Sequence, residues 1–139
     1  MKKQLFISGP ILGMEDNQDY YRDIITTIGQ KLGFEIIDPW KREKCDYTDV
    51  SEEYINQDNY KYLRIVQRDL DDADRCDVMV VYLPKLSAGA CMEMFYAKRK
   101  GKTVIVVSDM PKLSPWIKVH CDITIKNFDL LEETLNKYK

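Results

Sequence analysis

Glu93, Asp69, Ser87 and Asp77 are the side chains whose type and spacing could do chemistry. Glu93 stands in Ser87-Ala88-Gly89-Ala90-Cys91-Met92-Glu93-Met94-Phe95-Tyr96-Ala97, where Ala90, Met94 and Ala97 recur at helical spacing and form an apolar stripe. Glu93 falls on that stripe. A carboxylate held on a buried helix face costs on the order of several kcal/mol unless something compensates it. The helix dipole offsets part of this cost, and a sugar or a second acid can supply the rest. The plainer alternative is a Glu93 that leans to the edge of the stripe and stays solvated. Asp69 lies between Val66 and Ala73 on the margin of another apolar stripe, whereas Asp72 and Asp74 read as solvated or helix-end charges. Two carboxylates drawn together raise one of their pKa values, which is what paired acid/base work requires. Asp77 opens a strand, as a site residue or as a simple turn residue.

Two loops add polar groups. Ser87-x-Gly89 opens the Glu93 helix, where a hydroxyl and free N–H groups bind an anion or where Ser87 serves only as an N-cap. The loop Ser8-Gly9-Pro10-Ile11-Leu12-Gly13 follows an apolar strand and lets a ligand approach its backbone, although Gly-Pro at a strand end is also an ordinary turn.

These groups need elements to hold them. Leu5-Phe6-Ile7 is the first strand, and Asp16 or Asn17 caps a helix carrying Tyr21, Ile24, Ile25, Ile28 and Leu32. Gly33 stops it before the strand Phe34–Ile37, which ends at Asp38-Pro39. From Trp40 to Ser51 the chain is polar without a clear period, an excursion over the surface in the position of a lid. A long helix over Tyr54–Asp74 follows, with Leu63, Val66, Leu70 and Ala73 as its stripe. Asp77–Leu83, Thr103–Val107 and Cys121–Ile125 are further strands, and Asn127 or Asp129 opens a terminal helix with Leu130, Leu131 and Leu135. Unbroken apolar strands alternating with helices predict a parallel sheet covered on both faces. Five strands at this length fit a single α/β, flavodoxin-like (Rossmann-like) domain over residues 1–139, of order 2-1-3-4-5. In such sheets ligands sit beyond the carboxyl ends of strands 1 and 3, where both loops lie.

Bulk properties narrow the partners. A net charge of −2, a pI near 5.5 and scattered Lys and Arg argue against a nucleic-acid polymer. Cys45, Cys76, Cys91 and Cys121 form no C-x-x-C pair and His120 is the only histidine, so neither a metal site nor a disulfide framework is expected. His120 beside Cys121 would point to the opposite face of a strand. With no h-region and no membrane span, a reduced cytoplasmic protein is the expectation. The residues alone lead to an acidic pocket for a small polar molecule.

Arg68-Asp69-Leu70, Ala73-Asp74, Cys76-Asp77-Val78, Ser87-x-Gly89-x-x-x-Glu93, Tyr96-Ala97 and Gly101-Lys102, with the opening Leu5-Phe6-Ile7-Ser8-Gly9-Pro10-Ile11, resemble the nucleoside 2-deoxyribosyltransferase superfamily. That superfamily includes the 2′-deoxynucleoside 5′-monophosphate N-hydrolases, and the likeness runs over nearly the whole chain. It implies that Glu93 is a nucleophile attacking C1′ of a deoxyribosyl group, that Asp69 protonates or orients the departing base, and that another base or water then resolves the glycosyl-enzyme. It further implies substrate contacts from Phe6, Ser8, Gly9, Ile11, Asp77, Ser87 and Gly89, no metal or redox cofactor, and a homodimer or higher homo-oligomer. The nucleoside-using transferases carry Asp where this chain has Ser87, whereas the monophosphate hydrolases carry Ser. Ser114, in Leu113-Ser114-Pro115-Trp116-Ile117, corresponds to a segment reaching a phosphate across a dimer interface, or is a helix cap. Two positions depart from the family. Phe6 replaces a Tyr whose hydroxyl meets the catalytic Glu, and Leu12 replaces an Arg of the hydrolases. Phe6 feeds the rival reading, a non-catalytic module that binds and reports nucleotides. A phospho-receiver domain is set aside, because Leu83-Pro84-Lys85 offers no acceptor Asp.

Overall fold

A computed structural model describes the backbone of residues 1–48 and 59–139 and the side chains of residues 1–44 and 61–139. A parallel sheet forms its centre, built from β1 (Gln4–Ser8), β2 (Glu35–Ile37), β3 (Val78–Tyr82), β4 (Thr103–Val107) and β5 (Ile123–Ile125) in the order β2-β1-β3-β4-β5. The register sets Phe6 beside Met79 and Ile37, and Ser8 beside Val81. Successive strand residues alternate between two cores. Leu5, Ile7, Val78, Val80, Ile105 and Val107 meet Tyr21 and Ile25 of α1 (Gln18–Lys31), together with Leu131 and Leu135 of the C-terminal helix. Phe6, Met79, Val81, Val104 and Val106 meet Ala73, Ala90, Met94 and Ala97 on the other face. A 3-10 turn (Glu15–Asn17) leads into α1, and Asn17 occupies the N-cap position without a side-chain cap bond.

The other helices are α2 (Pro39–Thr48), α3 (Asn59–Arg75), α4 (Ala88–Arg99), α5 (Pro115–Val119) and α6 (Leu131–Asn136), the last preceded by a 3-10 turn that Asn127 caps. Three expectations change here. Trp40–Ser51 is not a surface excursion over its described part: α2 begins there, and Trp40 and Glu43 are buried against the domain. Residues 49–51 and the start of the expected long helix, 54–58, lie outside the described residues. The stripe of α3 is rotated from the expected one, because Leu63 and Val66 are 68% and 56% exposed while Ile65, Asp72, Ala73 and Cys76 face inward. Asp72 is therefore a buried acid, not a solvated charge. His120 ends α5 and Cys121 precedes β5, so neither is a strand residue.

Because β1 and β3 run parallel as neighbours, the loops after them leave the sheet at one edge. The first loop needs its glycines. A Cβ at Gly9 would meet the Tyr21 hydroxyl at 2.6 Å, and Gly13 has φ of 82°.

Candidate active site

The crevice between these loops has a volume of about 360 Å³. Gly9, Ile11 and Leu12 form one wall, Ile65, Val66 and Asp69 of α3 another, and Ser87, Gly89 and Glu93 of α4 the floor. Ser87 caps α4 by accepting the Ala90 N–H at 3.3 Å, which fixes where the helix begins and hence where Glu93 points two turns along. The residue as a whole keeps some exposure through the open crevice, but protein encloses its carboxyl. That burial pushes Glu93 up to about 8, against the opposing hydrogen bond from Ser8 and the charge of Arg22. Ser8 Oγ donates to Glu93 Oε1 at 3.2 Å. Ser8 closes β1 two residues after Phe6 and so turns toward the same face of the sheet.

A polar scaffold underlies the loop. Gln18 is buried and donates to the carbonyls of Pro10 (2.7 Å) and Met14 (3.0 Å), while its oxygen accepts from the Tyr21 hydroxyl and from Arg22 Nε. Arg22 also donates to the Ile7 carbonyl and makes a buried ion pair with Asp38 at 2.6 Å. Asp38 accepts the Trp40 N–H and so starts α2. In this way α1 holds the start of α2, which crosses α3 at Arg42.

That crossing brings in residues which sequence reasoning missed. Arg42 Nη2 lies 3.1 Å from both Glu43 Oε1 and Asp69 Oδ1, and Nη1 lies 3.0 Å from Asp72 Oδ2. Arg75 pairs with the other oxygen of Asp72. Glu43 has no exposure, and its carboxyl interacts directly with that of Asp69. Burial and the neighbouring Asp69 raise Glu43 to about 9, whereas Asp69, raised by burial but held down by the Glu43 hydrogen bond, reaches about 6. Burial thus holds both carboxyls above the ordinary range, and their mutual interaction raises Glu43 while lowering Asp69. One signal was available in the sequence: phased on Ile65, α3 places Asp69, Asp72 and Cys76 along one face.

Other expected site residues lie elsewhere. Asp77 sits at the amino end of β3, opposite the crevice, where it accepts the Gln4 N–H at 2.8 Å. Phe6 is fully buried in the core beneath the crevice and does not line it. Ser114 caps α5 through the Trp116 N–H and borders a separate apolar cavity of about 530 Å³ with Met92, Phe95, Trp116 and His120. None of these three lines the crevice.

With Glu93 and Asp69 facing one crevice at the β1/β3 switch point, comparison with known proteins is direct. Residues 2–110 match the family described as nucleoside 2-deoxyribosyltransferase like, and the chain belongs to that family. A solved 2-deoxyribosyltransferase from Bacillus psychrosaccharolyticus shares the fold with a TM-score of 0.66 at 13% identity, over 93% of this chain and 90% of that one. A conserved protein from Enterococcus faecalis V583 does so with a TM-score of 0.70 at 15% identity, over 100% of both. The CMP N-glycosidase of Clostridium botulinum gives 0.58 at 17% identity, over 99% of this chain and 100% of that one. No curated protein sequence matches. Among the described residues no helix is long and apolar enough to cross a membrane.

Proposed function

We propose that this protein cleaves the N-glycosidic bond of a 2′-deoxyribonucleoside or its 5′-monophosphate through a covalent glycosyl-enzyme on Glu93. The observation that carries this reading is a Glu93 carboxyl enclosed in the crevice, held by Ser8 and faced by Asp69. The ionised carboxylate attacks C1′ as the C1′–N bond breaks, and the bond pair leaves on the base nitrogen. Asp69 delivers the proton that the departing base needs. Water or a second base then attacks C1′, returns the carboxylate, and gives hydrolysis or transfer. Absence of a 2′-hydroxyl eases the oxocarbenium-like transition state, so one well-placed carboxylate suffices.

The 5′-monophosphate is favoured at the mouth of α4. Ser87 uses its oxygen as a cap and keeps its O–H to donate, and the Ala88 and Gly89 amides in the first helical turn have no intrahelical acceptor. A homo-oligomer belongs to the same reading: Leu86 and Met92 border both the crevice and the apolar cavity beside Ser114, so a second copy seated there would wall the crevice.

The test is a chromatographic assay for free base from the four deoxynucleosides and their 5′-monophosphates, with and without an acceptor base, alongside Glu93→Ala. Base released from a monophosphate in water and lost in the variant is the expected result. Binding without release from any substrate would replace this reading with the nucleotide-binding module.

A further inference from the structure

We propose that Glu43 of α2 is the proton reserve of the site: it holds Asp69 in a carboxyl–carboxylate hydrogen bond and re-protonates it as the base departs. The inference rests on the glycosidase reading above and assigns a role to a residue outside the family's motifs quoted from this sequence.

The geometry starts from a fully buried acid of which only one oxygen is paired. Glu43 has no solvent exposure, Oε1 is taken by Arg42, and Oε2 meets no conventional N–H or O–H donor. A buried carboxyl oxygen without a donor is costly unless the carboxyl carries the proton, and the Glu43 carboxyl interacts directly with that of Asp69. Arg42 Nη2 sits at 3.1 Å from one oxygen of each acid, so a single cation fixes the pair and balances the one negative charge it keeps. Charged groups around it among the described residues include Asp72 on α3, Glu93 on α4, and Arg22 with Asp38 behind the β1 loop.

Proton inventory explains why the site needs such a reserve. Catalysis requires an ionised Glu93 and a protonated acid at the base. Glu93 ionises near 8, where Asp69 has already lost its proton and Glu43 still holds one. As the C1′–N bond breaks, the base nitrogen takes a proton through Asp69, and Asp69 takes the Glu43 proton. When water attacks the glycosyl-enzyme, its proton returns to Asp69 and then to Glu43. The pair ends as it began, and the net reaction consumes one water.

Glu43→Gln keeps size and a hydrogen-bond donor but has no proton to transfer. With the natural substrate, kcat should fall about 100-fold with KM little changed, the scale of a lost general acid. The alkaline limb should move from near pH 9 toward pH 6. A 4-nitrophenyl 2-deoxyriboside, carrying the same 5′ group as the natural substrate, needs no proton on its leaving group and should be cleaved within about 2-fold of wild type. Unchanged natural-substrate kinetics, or equal loss on both substrates, would overturn the proposal. A readout free of turnover is the ¹³C carboxyl resonance of Asp69. It should titrate in two steps in the wild type and in one step in Glu43→Gln; a single step in the wild type sinks the pair. Two steps in a protein that releases no base would leave the acid pair standing and sink the glycosidase reading instead.

Discussion

Ser8 and Glu93 form the contact on which ionisation of the proposed nucleophile turns. The Ser8 hydroxyl donates to Glu93 and favours its charged form, so Ser8→Ala removes one stabilising bond, worth about 1.5–3 kcal/mol when the acceptor is charged. The acid limb of the rate profile should then move above pH 8, with the rate at neutral pH dropping about 10-fold or more; an unmoved limb would show that another group holds Glu93. Stability responds to the same carboxyl. Its folded pKa, about 8, lies above the ordinary 4.5, so the native state binds the extra proton and loses stability as pH rises between those values. Glu93→Gln does not titrate, so urea unfolding should show it gaining on the wild type by roughly 3–5 kcal/mol between pH 5 and pH 9. Equal gains at both ends of the range would show that Glu93 is not the titrating group.

Helices govern which of these residues meet, and they were unequally legible in the sequence. The strands read correctly because each is a short apolar run, and the stripe of α4 was visible in Ala90, Met94 and Ala97. The phase of α3 was not, because Leu63 and Val66 imitate a core stripe while Asp69 and Asp72 face inward. Hydropathy periodicity assumes that buried means apolar, and it fails where an acid row is buried against Arg42. The same failure hid α2, whose inward residue after Trp40 is Glu43. Ser8, Ser87, Asp69 and Glu93 were legible as a spacing; Gln18, Arg22, Arg42 and Glu43 carry no motif. A contrast between two substitutions checks the phase. Ile65→Ala should cost about 2–4 kcal/mol in thermal or chemical unfolding, whereas Leu63→Ala should stay within about 0.5 kcal/mol. Equal costs would mean that α3 presents the other face.

At the scale of the whole molecule, large apolar side chains are exposed in a cluster beside the crevice. Leu86, Met92, Trp116 and Val119 are each about 70% exposed or more, and the first three border one cavity beside the crevice. Exposed clusters of large apolar side chains mark contact surfaces more often than free ones. The homo-oligomer proposed above would bury Trp116 and Met92 in that contact and limit water access to the crevice. Trp116→Glu places a charge at the centre of that contact and sits outside the Glu93–Asp69 machinery. Sedimentation should show the wild type as a dimer or larger and Trp116→Glu as a folded monomer, with base release falling in proportion to the dimer lost and recovering as protein concentration rises. A monomeric wild type with full activity would show that one protomer completes its own crevice, and that the apolar face serves another partner.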